Sequence, residues 1–132
     1  MIIGVPKEIK SDENRVSLIP FGVKRLTDLG NKVFIENDAG LASGYSNQNY
    51  LDAGAEIINN PSDIFANSDM IIKVKEPQAI EFDYIKKNQI IFTYFHFAAD
   101  KSLTDNFIKS NAIAISYETV QQENGNLTLL VP

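Results

Sequence analysis

The stretch Gln89-Ile90-Ile91-Phe92-Thr93-Tyr94 is a short and almost continuous apolar run that is rich in β-branched and aromatic residues. Such a run predicts a strand that is buried on both faces of a sheet. A similar run, Met70-Ile71-Ile72-Lys73-Val74, precedes it, and another, Ala112 to Ser116, follows it. An amphipathic segment from Asp100 through Lys109 separates the last two runs and predicts a helix. Strand, helix and strand in this order predict parallel pairing.

The same alternation extends toward the N-terminus. Further predicted strands are Ile2 to Val5, Lys32 to Glu36 and Glu56 to Ile58, and further predicted helices begin near Pro20, Ser46 and Pro61. Asn124-Gly125-Asn126 predicts a turn before a last extended segment, Leu127 to Val131. No repeat or linker interrupts the pattern. We therefore predict a single α/β domain over residues 1–132, with a Rossmann-like or flavodoxin-like parallel sheet and helices on both faces.

Composition narrows the classes of partner. The chain has 132 residues, 44% of them hydrophobic and 22% charged, with a formal net charge of -5. This charge argues against a nucleic-acid partner, because binding to phosphates requires a clustered basic face. No stretch reads as a signal peptide or approaches the ~20 apolar residues that cross a bilayer, so we expect no membrane partner. The absence of cysteine excludes a disulfide framework and fits a cytoplasmic location.

The chain contains one histidine, His96, directly after the apolar run that ends with Phe95. Histidine is the side chain that ordinarily exchanges protons near neutral pH. At the end of a buried strand, it would face the crevice where α/β sheets bind ligands. A structural histidine at this position is the alternative.

Two cations occupy comparable positions: Arg15 follows the first predicted strand, and Lys75 follows the fourth. The carboxyl ends of neighbouring parallel strands converge, so these cations would form an anion site. A guanidinium binds a carboxylate through two hydrogen bonds, whereas an ammonium acts as a compact charge. The alternatives are ion pairs of Arg15 with Glu8 or Glu13, and of Lys75 with Glu76.

Other stretches carry less chemistry. The loop from Gly40 to Gly44 follows a strand but lacks the glycine spacing of phosphate-binding loops, and a flexible loop is the preferred interpretation. No dinucleotide fingerprint and no metal-ligand spacing occur elsewhere. We expect no metal site.

Five blocks of sequence resemble the alanine dehydrogenases in the same order. They are Gly4-Val5-Pro6-Lys7-Glu8, Asp12-Glu13-Asn14-Arg15-Val16, Lys73-Val74-Lys75-Glu76-Pro77, Thr93-Tyr94-Phe95-His96-Phe97-Ala98-Ala99 and Ser116-Tyr117-Glu118-Thr119-Val120. The resemblance covers essentially the whole chain. It departs from the family pattern at Asp12, Ser17 and Ile19, none of which removes a candidate site residue.

The resemblance implies NAD-dependent oxidative deamination of L-alanine to pyruvate and ammonium. It implies that Arg15 and Lys75 bind the substrate, that His96 is the catalytic acid and base, and that the enzyme is a homo-oligomer. The NAD-binding domain of the family would follow residue 132. We therefore expect these residues to be the N-terminal substrate domain, as a truncated form, an expressed fragment or a decayed reading frame. We expect the chain not to bind NAD tightly, to be inactive alone and to self-associate.

Three alternatives remain open. The N-terminal part of nicotinamide nucleotide transhydrogenase resembles the first block but does not keep the Lys-x-Lys-Glu-Pro and Tyr-x-His blocks. Saccharopine dehydrogenase is a more distant relative. The third alternative is a carboxylate-binding or oligomerisation module without catalysis.

Overall fold

Six strands form one sheet in the computed structural model, which describes residues 1–130. The strands are β1 (Ile2–Val5), β2 (Lys32–Glu36), β3 (Glu56–Ile58), β4 (Met70–Ile72), β5 (Ile90–Thr93) and β6 (Ile113–Ser116). Every neighbouring pair is parallel, and the spatial order is β3-β2-β1-β4-β5-β6. This order confirms the predicted parallel α/β sheet and is the Rossmann order rather than the flavodoxin order.

Local sequence explains where the helices begin and end. The helices are α1 (Pro20–Asp28), α2 (Asn47–Asp52), α3 (Pro61–Asn67) and α4 (Lys101–Ser110). Proline occupies the first turn of α1 and α3, where its missing amide costs no hydrogen bond. The side chains of Ser46 and Asp100 accept backbone hydrogen bonds that cap α2 and α4. Asn111 takes the left-handed conformation that ends α4, with φ of 55°.

The strands bury side chains on both faces of the sheet. Ile71 and Ile72 are consecutive in β4 and pack into different hydrophobic clusters, because successive strand residues point to opposite faces. One cluster includes Val23 of α1 and Tyr50 of α2, and the other includes Ile64 of α3. The helices therefore cover both faces, as predicted.

One local prediction differs from the structure. Residues 127–130 form a turn, in which the Leu130 amide donates to the Leu127 carbonyl over 3.0 Å, so the extended segment predicted there is wrong. Val131, the end of that predicted segment, lies outside the described residues. The loop from Gly40 to Gly44 contains a 3-10 turn (Leu41–Ser43) that is closed by backbone hydrogen bonds.

The strand order reverses between β1 and β4, and this reversal opens a crevice at the carboxyl edge of the sheet. The long loop over residues 6–19 leaves β1 at this edge, and residues 73–78 leave β4 beside it. Among residues 1–130, no helix is both long and apolar enough to span a lipid bilayer.

Candidate functional site

A cavity of about 430 Å³ lies in the crevice at the carboxyl edge. Arg15 lines it from the loop after β1, Lys73 from the end of β4, and Tyr94 from the end of β5. Ser43 enters from the 3-10 turn, so the glycine-bearing loop contributes to the cavity wall. The structure thus brings strand ends β1, β4 and β5 together around one space, as the sheet topology predicts.

Arg15 is held by Glu13, one of the two ion-pair partners considered from sequence. Its Nε donates to Oε1 of Glu13 over 2.8 Å, and its Nη2 donates to Oε2 over 2.7 Å. These hydrogen bonds lower the pKa of Glu13 to about 2. The arginine side chain nevertheless keeps 64% of its surface exposed, and its Nη1 is not engaged by Glu13. A guanidinium held in this way has a fixed orientation and can still donate hydrogen bonds to a second carboxylate.

Lys75 lies beside this cavity rather than in its lining. Its side chain is half-buried, and its charge contributes to the lowered pKa of Glu13. Arg15 and Lys75 therefore both act on the carboxylate of Glu13. The expected alternative partner, Glu76, is instead paired with Lys10. The carbonyl of Lys75 accepts a hydrogen bond from Thr93 Oγ1 over 2.9 Å, which ties the loop after β4 to β5.

Lys73 is a charged residue that the sequence analysis did not select. It is fully buried, and its Nζ lies 3.1 Å from Glu8 Oε2 and 3.0 Å from Glu81 Oε1. Glu8 also accepts hydrogen bonds from the amides of Val74 and Lys75. Burial raises the pKa of Glu81. This network fixes the backbone that carries Lys75.

His96 follows β5 and lines a neighbouring cavity, also about 430 Å³, together with Ser116 and Glu118. Its ring stacks on Tyr94 with centroids 6.2 Å apart and an interplanar angle of 17°. Tyr94 lines the Arg15 cavity, so the His96 ring lies next to a residue of that cavity. The imidazole is exposed and therefore reachable by a ligand.

Sequence reasoning missed several residues of this region. They are Glu8, Lys73 and Glu81 in the buried network, Tyr94 and Tyr117 in the cavity wall, and Glu118 beside His96. One sequence feature could have indicated the network: Lys73 interrupts an apolar run, and a charge within a buried strand requires a partner. Tyr117 packs against Tyr94 with ring centroids 4.7 Å apart.

The described residues do not match a dinucleotide site. β1 is followed by Pro6-Lys7-Glu8 instead of a glycine-rich turn, and α1 starts only at Pro20. The space at the end of β1 holds the Glu8 carboxylate, which would repel a pyrophosphate. No group of three or more potential metal ligands occurs within residues 1–130.

The fold and the site define a class: a Rossmann-type α/β domain with an arginine-lined cavity at the carboxyl edge of its sheet. The family described as alanine dehydrogenase/PNT, N-terminal domain, matches residues 4–132. This chain belongs to that family.

The relatives are consistent with this assignment. An alanine dehydrogenase of Staphylococcus saprophyticus subsp. saprophyticus is 47% identical over 132 residues, which is all of this chain and 35% of that protein. A solved L-alanine dehydrogenase superposes with a TM-score of 0.95 at 45% identity, covering 98% of this chain and 36% of that one. A transhydrogenase from Sinorhizobium meliloti superposes with a TM-score of 0.83 at 25% identity, covering 89% of this chain and 35% of that one. The chain thus spans about a third of the length of these relatives.

Proposed function

We propose that this domain binds the substrate of an NAD-dependent alanine dehydrogenase that interconverts L-alanine with pyruvate and ammonium. The observation that carries the proposal is the Arg15 side chain on the wall of the crevice cavity, with Lys75 beside that cavity and His96 in the neighbouring one, next to Tyr94. The substrate provides a carboxylate for the two cations and a carbon at which a proton must be moved. The domain would act in a cytoplasmic homo-oligomer.

Each residue has a distinct proposed role. Arg15 anchors the substrate carboxylate through the guanidinium edge that Glu13 leaves free. The Lys75 ammonium holds the same carboxylate or polarises the oxygen of the reacting carbonyl. These contacts place the reacting carbon toward His96, which stands beside the Tyr94 wall of the cavity.

His96 moves protons during hydrolysis. Oxidation of L-alanine removes a hydride from the α-carbon and leaves an iminium group. Water adds to that carbon while His96 takes its proton, and the resulting carbinolamine receives a proton on nitrogen. His96 gives that nitrogen the proton it took from water and then accepts the hydroxyl proton as the carbon–nitrogen bond breaks, which yields ammonia and pyruvate. General acid and base catalysis of this kind contributes ~10² to 10⁴ in rate.

NAD, the hydride acceptor of the proposed reaction, must be bound outside the described residues, because these residues do not form a dinucleotide site. We therefore expect the 132-residue chain alone to produce no NADH from L-alanine and NAD. Clear turnover by the isolated chain would contradict this expectation.

A chimeric enzyme tests the roles directly. In it, these 132 residues replace the matching part of the Staphylococcus saprophyticus alanine dehydrogenase, whose sequence aligns with all of this chain. We expect the chimera to form NADH and His96→Asn to lower kcat by ~10² to 10⁴. Arg25→Ala, on the exposed face of α1, serves as a control that should leave turnover unchanged. An active His96→Asn chimera would refute the assignment of His96.

The transhydrogenase alternative has weaker support, since the transhydrogenase structure is 25% identical to this chain, against 45% for the L-alanine dehydrogenase. A module that binds carboxylates without catalysis is the other alternative. Pyruvate binding separates the alanine dehydrogenase proposal from the transhydrogenase, and turnover by the chimera separates it from a module without catalysis.

A further inference from the structure

The backbone of His96 is in the left-handed region, with φ of 54° and ψ of 39°. For a residue with a Cβ atom, this conformation costs about 1–2 kcal/mol. It occurs where the chain leaves β5 and enters a 3-10 turn, Phe97–Ala99. Other contacts must therefore hold the residue in this conformation.

One carboxylate oxygen makes the required contacts. Glu118 Oε1 accepts hydrogen bonds from the amide of Phe95 over 3.1 Å and from the amide of His96 over 2.7 Å. Successive amides that converge on one acceptor form an anion-binding nest. Because Glu118 follows β6, this contact fastens the end of β5 to the neighbouring strand.

The surroundings of Glu118 favour its charged form. Burial opposes ionisation, but the Ser116 hydroxyl and the His96 amide outweigh it and lower the pKa of Glu118. The bonds to the amides are therefore charge-assisted, which makes them stronger than bonds between neutral groups. Oε2 of Glu118 is buried and makes no hydrogen bond of good geometry within residues 1–130.

We propose that Glu118 is a positioning residue that fixes the His96 backbone, and with it the imidazole, in the orientation needed for proton transfer. This inference rests on the proposed role of His96 as acid and base. Glu118 acts through the amides of Phe95 and His96 and not on the substrate, whereas Arg15 and Lys75 hold the substrate from other strands. Loss of Glu118 should therefore affect turnover more than substrate binding.

The chimeric enzyme provides the kinetic test. We expect Glu118→Ala to lower kcat by ~10- to 100-fold, because small displacements of a catalytic group have effects of this size. The KM for pyruvate should change little. Glu118→Gln keeps an acceptor oxygen and should recover most of the lost kcat. Glu123→Ala removes an exposed carboxylate nearby and should leave both constants unchanged.

The combined variants separate failure of this inference from failure of the proposed function. If His96→Asn leaves kcat unchanged, the proposed role of His96 as acid and base is wrong, and the positioning role of Glu118 is wrong with it. If His96→Asn abolishes turnover but Glu118→Ala does not lower kcat, the positioning role is wrong. If both hold, adding Glu118→Ala to His96→Asn should cause little further loss, since the two residues act as one unit.

A spectroscopic measurement covers the case in which Glu118→Ala does not fold. In the 132-residue chain, the His96 amide should be protected from hydrogen exchange. Glu118→Gln, whose oxygen accepts without a negative charge, should increase the exchange rate of the His96 amide only slightly and leave the Ile91 amide of β5 unaffected. A wild-type His96 amide that exchanges as rapidly as an unstructured one would overturn the inference.

Discussion

Two lysines that stand two residues apart show how position decides the role of a charge. Lys73 is fully buried between Glu8 and Glu81, whereas Lys75 is half-buried at the crevice. A buried ammonium has lost its hydration and depends on its two carboxylates. A partly exposed ammonium keeps water nearby and can exchange it for a ligand. The first lysine is therefore suited to structure and the second to binding.

Methionine substitutions at these two positions should affect different properties of the chain, stability in one case and ligand binding in the other. Lys73→Met leaves two carboxylates buried without their cation, so we expect a loss of ~3–5 kcal/mol in the free energy of unfolding. Lys75→Met should change that free energy by less than about 0.5 kcal/mol, but it should abolish pyruvate binding. Urea unfolding and a pyruvate titration measure the two effects. Equal destabilisation by both substitutions would contradict the distinction.

Glu13 should make stability depend on pH at acidic values. Its pKa in the folded chain, about 2, lies below the ordinary value of 4.5. The stabilisation is therefore complete above the ordinary value and is lost as pH falls toward 2. The free energy of unfolding should therefore decrease less between neutral pH and pH ~3 in Glu13→Gln than in the wild type. We expect this difference to be small, because Arg15 is largely exposed.

The pH dependence is measured by urea unfolding at several pH values, with Glu123→Gln as the control for removal of an exposed carboxyl. Identical pH profiles for wild type and Glu13→Gln would show that the ion pair with Arg15 adds no stability.

At the scale of the elements, close packing between β1 and α3 depends on Gly4. A Cβ atom at this position would lie 2.4 Å from Ser68 Oγ and 2.6 Å from Ile64 Cγ2. Both neighbours are buried, so neither can move away freely. The strand can approach the helix only because residue 4 has no side chain.

We expect Gly4→Ala to destabilise the chain by ~1–3 kcal/mol through overpacking. Gly30, which ends the turn after α1 with φ of 85°, has open space around it and offers a control. Gly30→Asn should cost less, because asparagine tolerates left-handed conformations. Thermal unfolding compares the two, and a Gly4→Ala variant as stable as wild type would show that the strand and helix can separate without cost.

The strands and helices could be predicted because their causes are local. The signals lie within or next to single elements: apolar runs, prolines at helix starts, a serine cap and glycines where helices end. The parallel pairing follows from strands that alternate with helices. The turn at residues 127–130 could not be predicted this way. Tyr94 donates to the Leu129 carbonyl over 2.6 Å, and Leu129 lines the cavity, which are contacts across 35 residues of sequence.

Less of the candidate site could be predicted, because Arg15 and His96 line two neighbouring cavities and Lys75 lines neither of them. The positions of Arg15, Lys75 and His96 after strands indicated one crevice, and their roles remain proposals. The partners that hold them could not be predicted, because Lys73 and Glu8 are 65 residues apart and Glu118 is 22 residues from His96. Side chains from distant loops meet only when the sheet has formed.

At the scale of the whole molecule, β6 is an edge strand with apolar residues open to solvent. Ile113 is 48% exposed and Ile115 is 37% exposed. An edge with free backbone groups and apolar side chains favours association with another chain. This surface is the structural basis for the self-association expected of the isolated chain.

Light scattering tests that expectation. The wild-type chain should form species larger than a monomer, and the double substitution Ile113→Thr with Ile115→Thr should shift it toward monomer. Ile80→Thr changes a single exposed isoleucine away from β6 and should have no such effect. A monodisperse wild-type monomer would contradict the prediction.

Recognition of a substrate carboxylate by Arg15 can be measured by NMR titration of the 132-residue chain with pyruvate. We expect saturable chemical-shift changes in the residues of the crevice at millimolar pyruvate, retained in Arg25→Ala and abolished in Arg15→Ala. Absence of any shift in the wild-type chain at millimolar pyruvate, or binding that persists in a folded Arg15→Ala variant, would contradict it.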